Sequence, residues 1–124
     1  VVGTNITVGN TTDTVFLQLS ITPTNIDSNL ILEANLNGVS GGGTATLSLG
    51  WNSNPVVVFG RLGGLGSSFT SSSFKIILPA NHNGLGMTTR NYQLFGKVAV
   101  GGTSVTFNTG GLGISSLTIT EVSI

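Results

Sequence analysis

Any chemistry done by this chain must come from very few side chains. His82 is the only histidine and there is no cysteine, so disulfides, thiolate metal sites and a cysteine nucleophile are ruled out. A Ser-His-Asp triad would have to use His82, yet the nearby serines show no nucleophile elbow. The setting Asn81-His82-Asn83-Gly84 reads as a loop, and His82 as a solvated loop side chain. The alternative reading is three copies of His82 meeting on a trimer axis around a metal or an anion. The four carboxylates are Asp13, Asp27, Glu33 and Glu121. Glu33 and Glu121 fall on strand-like segments, where paired strands could bring them together as a glycosidase-like pair. Strand carboxylates are more often solvated or bound to a neighbouring side chain. The glycine clusters contain no phosphate-binding fingerprint, and Gly96-Lys97 runs straight into Val98 rather than into the Ser or Thr such a loop requires. The expectation is a non-enzymatic protein with no catalytic residues, no cofactor and no metal.

Binding chemistry has better material. Trp51 precedes the turn Asn52-Ser53-Asn54-Pro55, and a flat apolar ring beside amide donors suits a pyranose. The competing role is a cap on the core or on a subunit contact. Two long loops are expected, at residues 60–73 and 79–90, and loops on a rigid scaffold are where binding residues concentrate. The candidate receptor-contact set is therefore Trp51, Asn52, Arg61, Asn81, His82, Asn83 and Arg90. Asn5-Ile6-Thr7 and Asn10-Thr11-Thr12 match the glycosylation sequon, a match that a chain so rich in Asn and Thr produces by chance.

The 124 residues suit one domain, able to bury roughly two-thirds of its unfolded surface. Four Lys and Arg balance four Asp and Glu, beside 19 Gly. Zero net charge and scattered cations argue against nucleic acid, whose binding is driven by clustered Lys and Arg. A surface so poor in charge is weakly protected against self-association, which favours an obligate oligomer or a part of a larger assembly. The longest apolar run, residues 56–59, falls far short of the roughly 20 residues of a membrane helix. No signal-peptide pattern is present, and a start at Val1 rather than Met reads as a processed or excised piece with something N-terminal missing.

The elements that would position these residues are strands. Residues 1–14 are expected to form an extended arm or edge strand, and residues 15–124 the folded domain. Residues 15–21 alternate, with Val15, Leu17, Leu19 and Ile21 on one face. Residues 30–36 do likewise, with Leu30, Leu32, Ala34 and Leu36 inward, and residues 44–51 with Ala45, Leu47, Leu49 and Trp51 inward. Asn37-Gly38 signals a hairpin. Residues 56–60 read as a short strand covered by the core and by a neighbouring subunit, followed by strands at 74–78, 91–100 and 103–108, the last two joined by a tight hairpin at Gly101-Gly102. Residues 115–124 close the sheet, with Leu117 and Ile119 facing one way and Thr118, Thr120 and Val122 the other. No segment has helical periodicity. Eight main strands with turns at this spacing predict an all-β, eight-stranded antiparallel jelly-roll sandwich.

The segments running from Ile21 to Leu32 and from Ser115 to Val122 carry a further signal. A Pro, a polar turn and a strand, then paired serines before a strand ending in Glu and an apolar residue, resemble the small β-sandwich domains at the C-terminal ends of phage fibre and virion surface proteins. The resemblance spans residues 16–124. It implies a homotrimeric jelly roll similar to the tumour necrosis factor architecture, carried on a virion surface and lacking enzymatic activity. Asn29 stands where that pattern commonly has a basic residue, and the glycine-rich 60–73 segment is unusually long. The expected function is a viral structural protein: the trimeric head of a tail fibre or spike that attaches to a host surface polymer. The alternatives are a capsid decoration or head-fibre protein that stabilises the virion, or a stand-alone carbohydrate-binding module. Expected partners are two further copies of the chain, other virion proteins and a host glycan, with no nucleic acid and no membrane insertion.

Overall fold

The computed structural model describes residues 6–9, 11–41, 44–63, 66–98, 104–107 and 115–123. Its strands are β1 (Ile6–Val8), β2 (Thr14–Ile21), β3 (Asn29–Gly41), β4 (Thr44–Trp51), β5 (Asn54–Gly63), β6 (Gly66–Pro79), β7 (Arg90–Val98), β8 (Val105–Phe107) and β9 (Ser116–Val122). They form two antiparallel sheets packed as a sandwich. The first runs β1-β8-β3-β6, with β9 also paired to β3, and the second runs β2-β7-β4-β5. All-β architecture thus follows from the period-2 patterns, as expected.

The core lies between the sheets. Leu30, Leu32, Ala34 and Leu36 of β3 face Ala45, Leu47 and Leu49 of β4 and Tyr92, Leu94 and Val98 of β7, all buried. Leu117 and Ile119 of β9 pack against the same core while Thr118, Thr120 and Val122 are exposed, so the alternation of this strand reads correctly. Phe16 and Phe107 stack at 4.7 Å with their planes 6° apart, tying the start of β2 to β8.

Several local expectations fail for identifiable reasons. In β2 a bulge between Val15 and Leu17 shifts the phase. Phe16 and Leu17 are both buried while Val15 is 37% exposed, because a bulge puts two residues opposite one and breaks strict alternation; Leu19, in phase with Leu17 beyond the bulge, is 39% exposed on this edge strand. Asn37-Gly38 makes no hairpin. The pairing of β3 with β6 continues through register shifts as far as Gly41 opposite Gly66, glycine absorbing the irregularity as a bulge rather than a turn.

The loop expected over residues 60–73 is mostly strand. β5 runs to Gly63 and β6 starts at Gly66, with Asn35 opposite Ser73, Leu36 opposite Ser72 and Val39 opposite Thr70. Ladder bonds are made by the backbone, so a Gly- and Ser-rich stretch pairs readily once a long partner strand is available. Phe69, which the sequence suggests as an anchor for the middle of this segment, has its side chain outside the described residues. Val58, on the segment expected to be covered by the core and by a neighbouring subunit, is 61% exposed in the single chain. The hairpin expected between the segments 91–100 and 103–108 does not form either: β7 is already flanked by β2 and β4, and β8 pairs with β1 and β3 in the other sheet. Residues 99–103 themselves lie outside the described residues.

Candidate functional site

The 22–28 turn, the β4–β5 turn and the 80–89 loop share one end of the sandwich, where β2 and β4 end and β7 begins. At this end the sequence builds a small aromatic and amide cluster. Trp51 and Tyr92 are directly opposed across β4 and β7, their rings edge to face at 6.2 Å. Beyond Trp51 the chain reverses in two residues, Asn52 and Ser53, with φ of 53° and 74°. This is the positive-φ pair of the tight hairpin whose twist matches antiparallel strands. The Ser53 N–H donates to Gln93 Oε1 at 2.7 Å and the Asn52 N–H to the Asn91 carbonyl at 3.1 Å, pinning the turn to β7.

The 80–89 loop is shaped from beneath by Arg90. Expected as an exposed contact donor, Arg90 is instead only 1% exposed. Its Nη1 donates to the Ala80 carbonyl at 2.5 Å, Nη2 to the Gly86 carbonyl at 2.7 Å and Nε to the Thr88 carbonyl at 3.1 Å. A guanidinium presents five N–H donors in a fixed fork, and here it satisfies loop carbonyls that burial would otherwise strand. That placement removes Arg90 from the contact surface. Within the loop a single 3-10 turn, His82–Gly84, carries Asn83 at φ 54° and Gly84 at φ 69°. Asn81 Oδ1 accepts the Gly86 N–H at 2.9 Å.

His82 is not the solvated loop side chain expected. It is half-buried, edge to face with Trp51 at 4.5 Å, and both ring nitrogens are engaged. Nδ1 lies 2.9 Å from Asn83 Oδ1 and Nε2 lies 2.5 Å from the Tyr92 hydroxyl. Asn83 Oδ1 only accepts, so Nδ1 carries the proton and Nε2 accepts from Tyr92 O–H. Tyr92 is fully buried. Burial pushes its phenol above the usual 10, while the hydrogen bond and charge of Arg90 pull it down. A directional chain therefore runs from the buried phenol through the imidazole to an exposed amide, and a chain of this kind rigidifies its members.

The carboxylates are elsewhere. Leu30 is opposite Glu121, and Glu33 is opposite Thr118 and Lys75, so the two glutamates project from opposite faces of the sheet and form no pair. Glu121 binds the 22–28 turn instead. Its carboxylate accepts from Ser28 Oγ at 2.6 Å, the Thr24 N–H at 2.9 Å, Thr24 Oγ1 at 2.9 Å and the Asn25 N–H at 3.1 Å. Led by the Ser28 bond and then the Thr24 N–H, these bonds hold its pKa down to about 2. Among the described residues no group of three or more His, Cys, Asp or Glu is placed to hold a metal.

Of the seven expected contact residues, the structure gathers Trp51, Asn52, Asn81, His82 and Asn83 at one end. Arg90 lies beneath them, and the side chain of Arg61 falls outside the described residues. Sequence reasoning missed Tyr92 and Gln93 as site residues. A signal did exist for Tyr92: a tyrosine at an inward strand position needs a partner for its hydroxyl, and the only histidine stands ten residues before it. Comparison with family models and with curated proteins found nothing that matches this chain.

Proposed function

We propose that this chain is the head domain of a virion surface protein, a homotrimeric jelly roll that attaches to a host surface polymer by multivalent, non-catalytic contact. The observation that carries the reading is the strand order. One sheet runs β1-β8-β3-β6 with β9 beside β3, and the other runs β2-β7-β4-β5, so the chain changes sheets at nearly every connection. That order supports the reading of two Greek keys wound together, as in the jelly rolls of viral capsid and lectin domains. It agrees with the resemblance to phage fibre heads carried by residues 16–124.

Assembly is supported by the outer face of the β9-β3-β6 sheet. Ile77 is 57% and Val122 42% exposed. Cross-strand pairing puts both on the face of Ile31, beside exposed Pro79. Apolar residues on an exposed sheet face, beside the Glu33–Lys75 cross-strand pair and in a chain carrying eight charged residues in all, support a surface that another protein covers. Three weak sites on one axis multiply affinity by orders of magnitude with no new contact. Size-exclusion chromatography with light scattering tests the assembly, a trimer being expected; a stable monomer at micromolar concentration refutes it. Adsorption of the labelled protein to bacterial surface polysaccharides tests attachment, and no adsorption to any of them refutes that half of the reading.

A further inference from the structure

We propose that the corner formed by Trp51, His82 and Asn83 is a subsite for one ring of an uncharged saccharide. The inference rests on the attachment reading and gives it a site and a ligand class.

Three observations converge on this corner. First, the half-buried indole packs against the core and is braced by His82 at 4.5 Å and Tyr92 at 6.2 Å. Among the described residues its N–H has no acceptor. A ring that is already immobile loses little entropy when a ligand packs on it. Second, the side-chain groups that Asn81 and Asn83 leave over beside it are donors. His82 spends both nitrogens internally. Asn83 and Asn81 spend their side-chain oxygens on His82 and on the Gly86 N–H. Both asparagines are exposed, which leaves their amide N–H groups, like the Trp51 N–H, available to a ligand. Such a set fits hydroxyl, ring or acetamido oxygens, the acceptors that a saccharide displays.

Third, among the described residues the cluster offers no free cation, and Asp27 stands exposed on the 22–28 turn beside it. Arg90 is the cation at this end, and its guanidinium is turned to three loop carbonyls beneath the surface. Glu121 is consumed by the 22–28 turn. An anionic sugar would give up hydration here without gaining a counter-charge, whereas a neutral ring meets an apolar plane with a polar rim, the usual make-up of a small-ligand site.

Trp51 is the only tryptophan, so its fluorescence reports this corner alone. The test is titration of the 124-residue chain with neutral hexaoses of glucose, mannose and N-acetylglucosamine, and with polygalacturonate and a heparin hexasaccharide as anionic probes. At least one neutral hexaose should shift or quench the emission while the anionic probes leave it unchanged. Asn83→Gly, which keeps the positive φ while removing the amide, should weaken that neutral ligand about tenfold, the loss of roughly one hydrogen bond to a fixed donor. Trp51→Phe, followed by calorimetry, should weaken it at least as much. Emission unmoved by every neutral hexaose, in a chain that still adsorbs to surface polysaccharide, overturns the subsite and leaves attachment standing. A response to the anionic probes alone overturns the ligand class. Failure of the chain to adsorb to any surface polysaccharide overturns both readings. Binding unchanged in both variants also overturns the subsite.

Discussion

Replacing Arg90 by methionine should loosen the 80–89 loop more than any surface substitution, because it removes three hydrogen bonds at once. The guanidinium donates to the carbonyls of Ala80, Gly86 and Thr88. Ala80 is fully buried, so its orphaned carbonyl costs about 1–3 kcal/mol. Water can reach the other two carbonyls, whose bonds are only part-buried, and each loses about 0.5–1.5 kcal/mol net. Methionine fills part of the vacated volume and needs no ionic hydration, which offsets some of the loss. The balance is a destabilisation of about 3 kcal/mol, or ~10 °C in melting temperature at roughly 3–4 °C per kcal/mol for a domain of this size. Arg90→Lys should lose about half as much, since an ammonium keeps the charge but cannot span three carbonyls with a fixed fork. Chemical denaturation followed by circular dichroism measures the stability. Trp51 emission measures the site, because His82 rides on the same loop 4.5 Å from the indole. A methionine variant within about 0.5 kcal/mol of the parent, the scatter expected of a harmless surface change, and with unaltered Trp51 emission, would refute the account of the loop.

Glu121 gives a pH-dependent outcome. Its pKa falls from 4.5 to about 2 in the folded chain. Its contribution is therefore complete above pH 4.5 and lost as pH drops from there toward 2. Glu121→Gln should lower the denaturation midpoint clearly at pH 6 and by much less at pH 2, and equal losses at the two pH values would contradict the linkage. In the core, Leu49→Ala should cost about 2–5 kcal/mol, since Leu49 is fully buried beside Leu32 and Leu94; denaturant titration measures it. On the outer sheet face, Ile77→Lys should leave the protomer folded by circular dichroism while lowering the mass seen by light scattering. An unchanged mass would move the assembly surface elsewhere.

The sequence determined a good deal by itself. Period-2 alternation at residues 30–36 and 44–51 and from Leu117 to Val122 placed these strands and their inward faces, because a strand buried on one side must alternate whatever it pairs with. The near absence of charge and the lack of cysteine limited the chemistry before any coordinates were known. Trp51, His82 and their neighbouring asparagines stood out because so few other side chains can do anything. What the sequence left open was where backbone pairing overrides local signals. Asn37-Gly38 has the composition of a turn but lies in a strand, and residues 60–73 have the composition of a loop but are mostly ladder, because β3 runs long enough to pair with them. Side-chain roles depended on distance in the same way. Arg90 looked like a surface donor until three carbonyls of its own loop folded around it. Glu121 looked available to Glu33 until registration put the two on opposite faces and delivered Glu121 to a turn 93 to 97 residues away. The meeting of Tyr92, His82 and Trp51 was likewise fixed by tertiary structure. Which side chain receives a hydrogen bond depends on which backbones pair, and that choice is made by the whole sandwich.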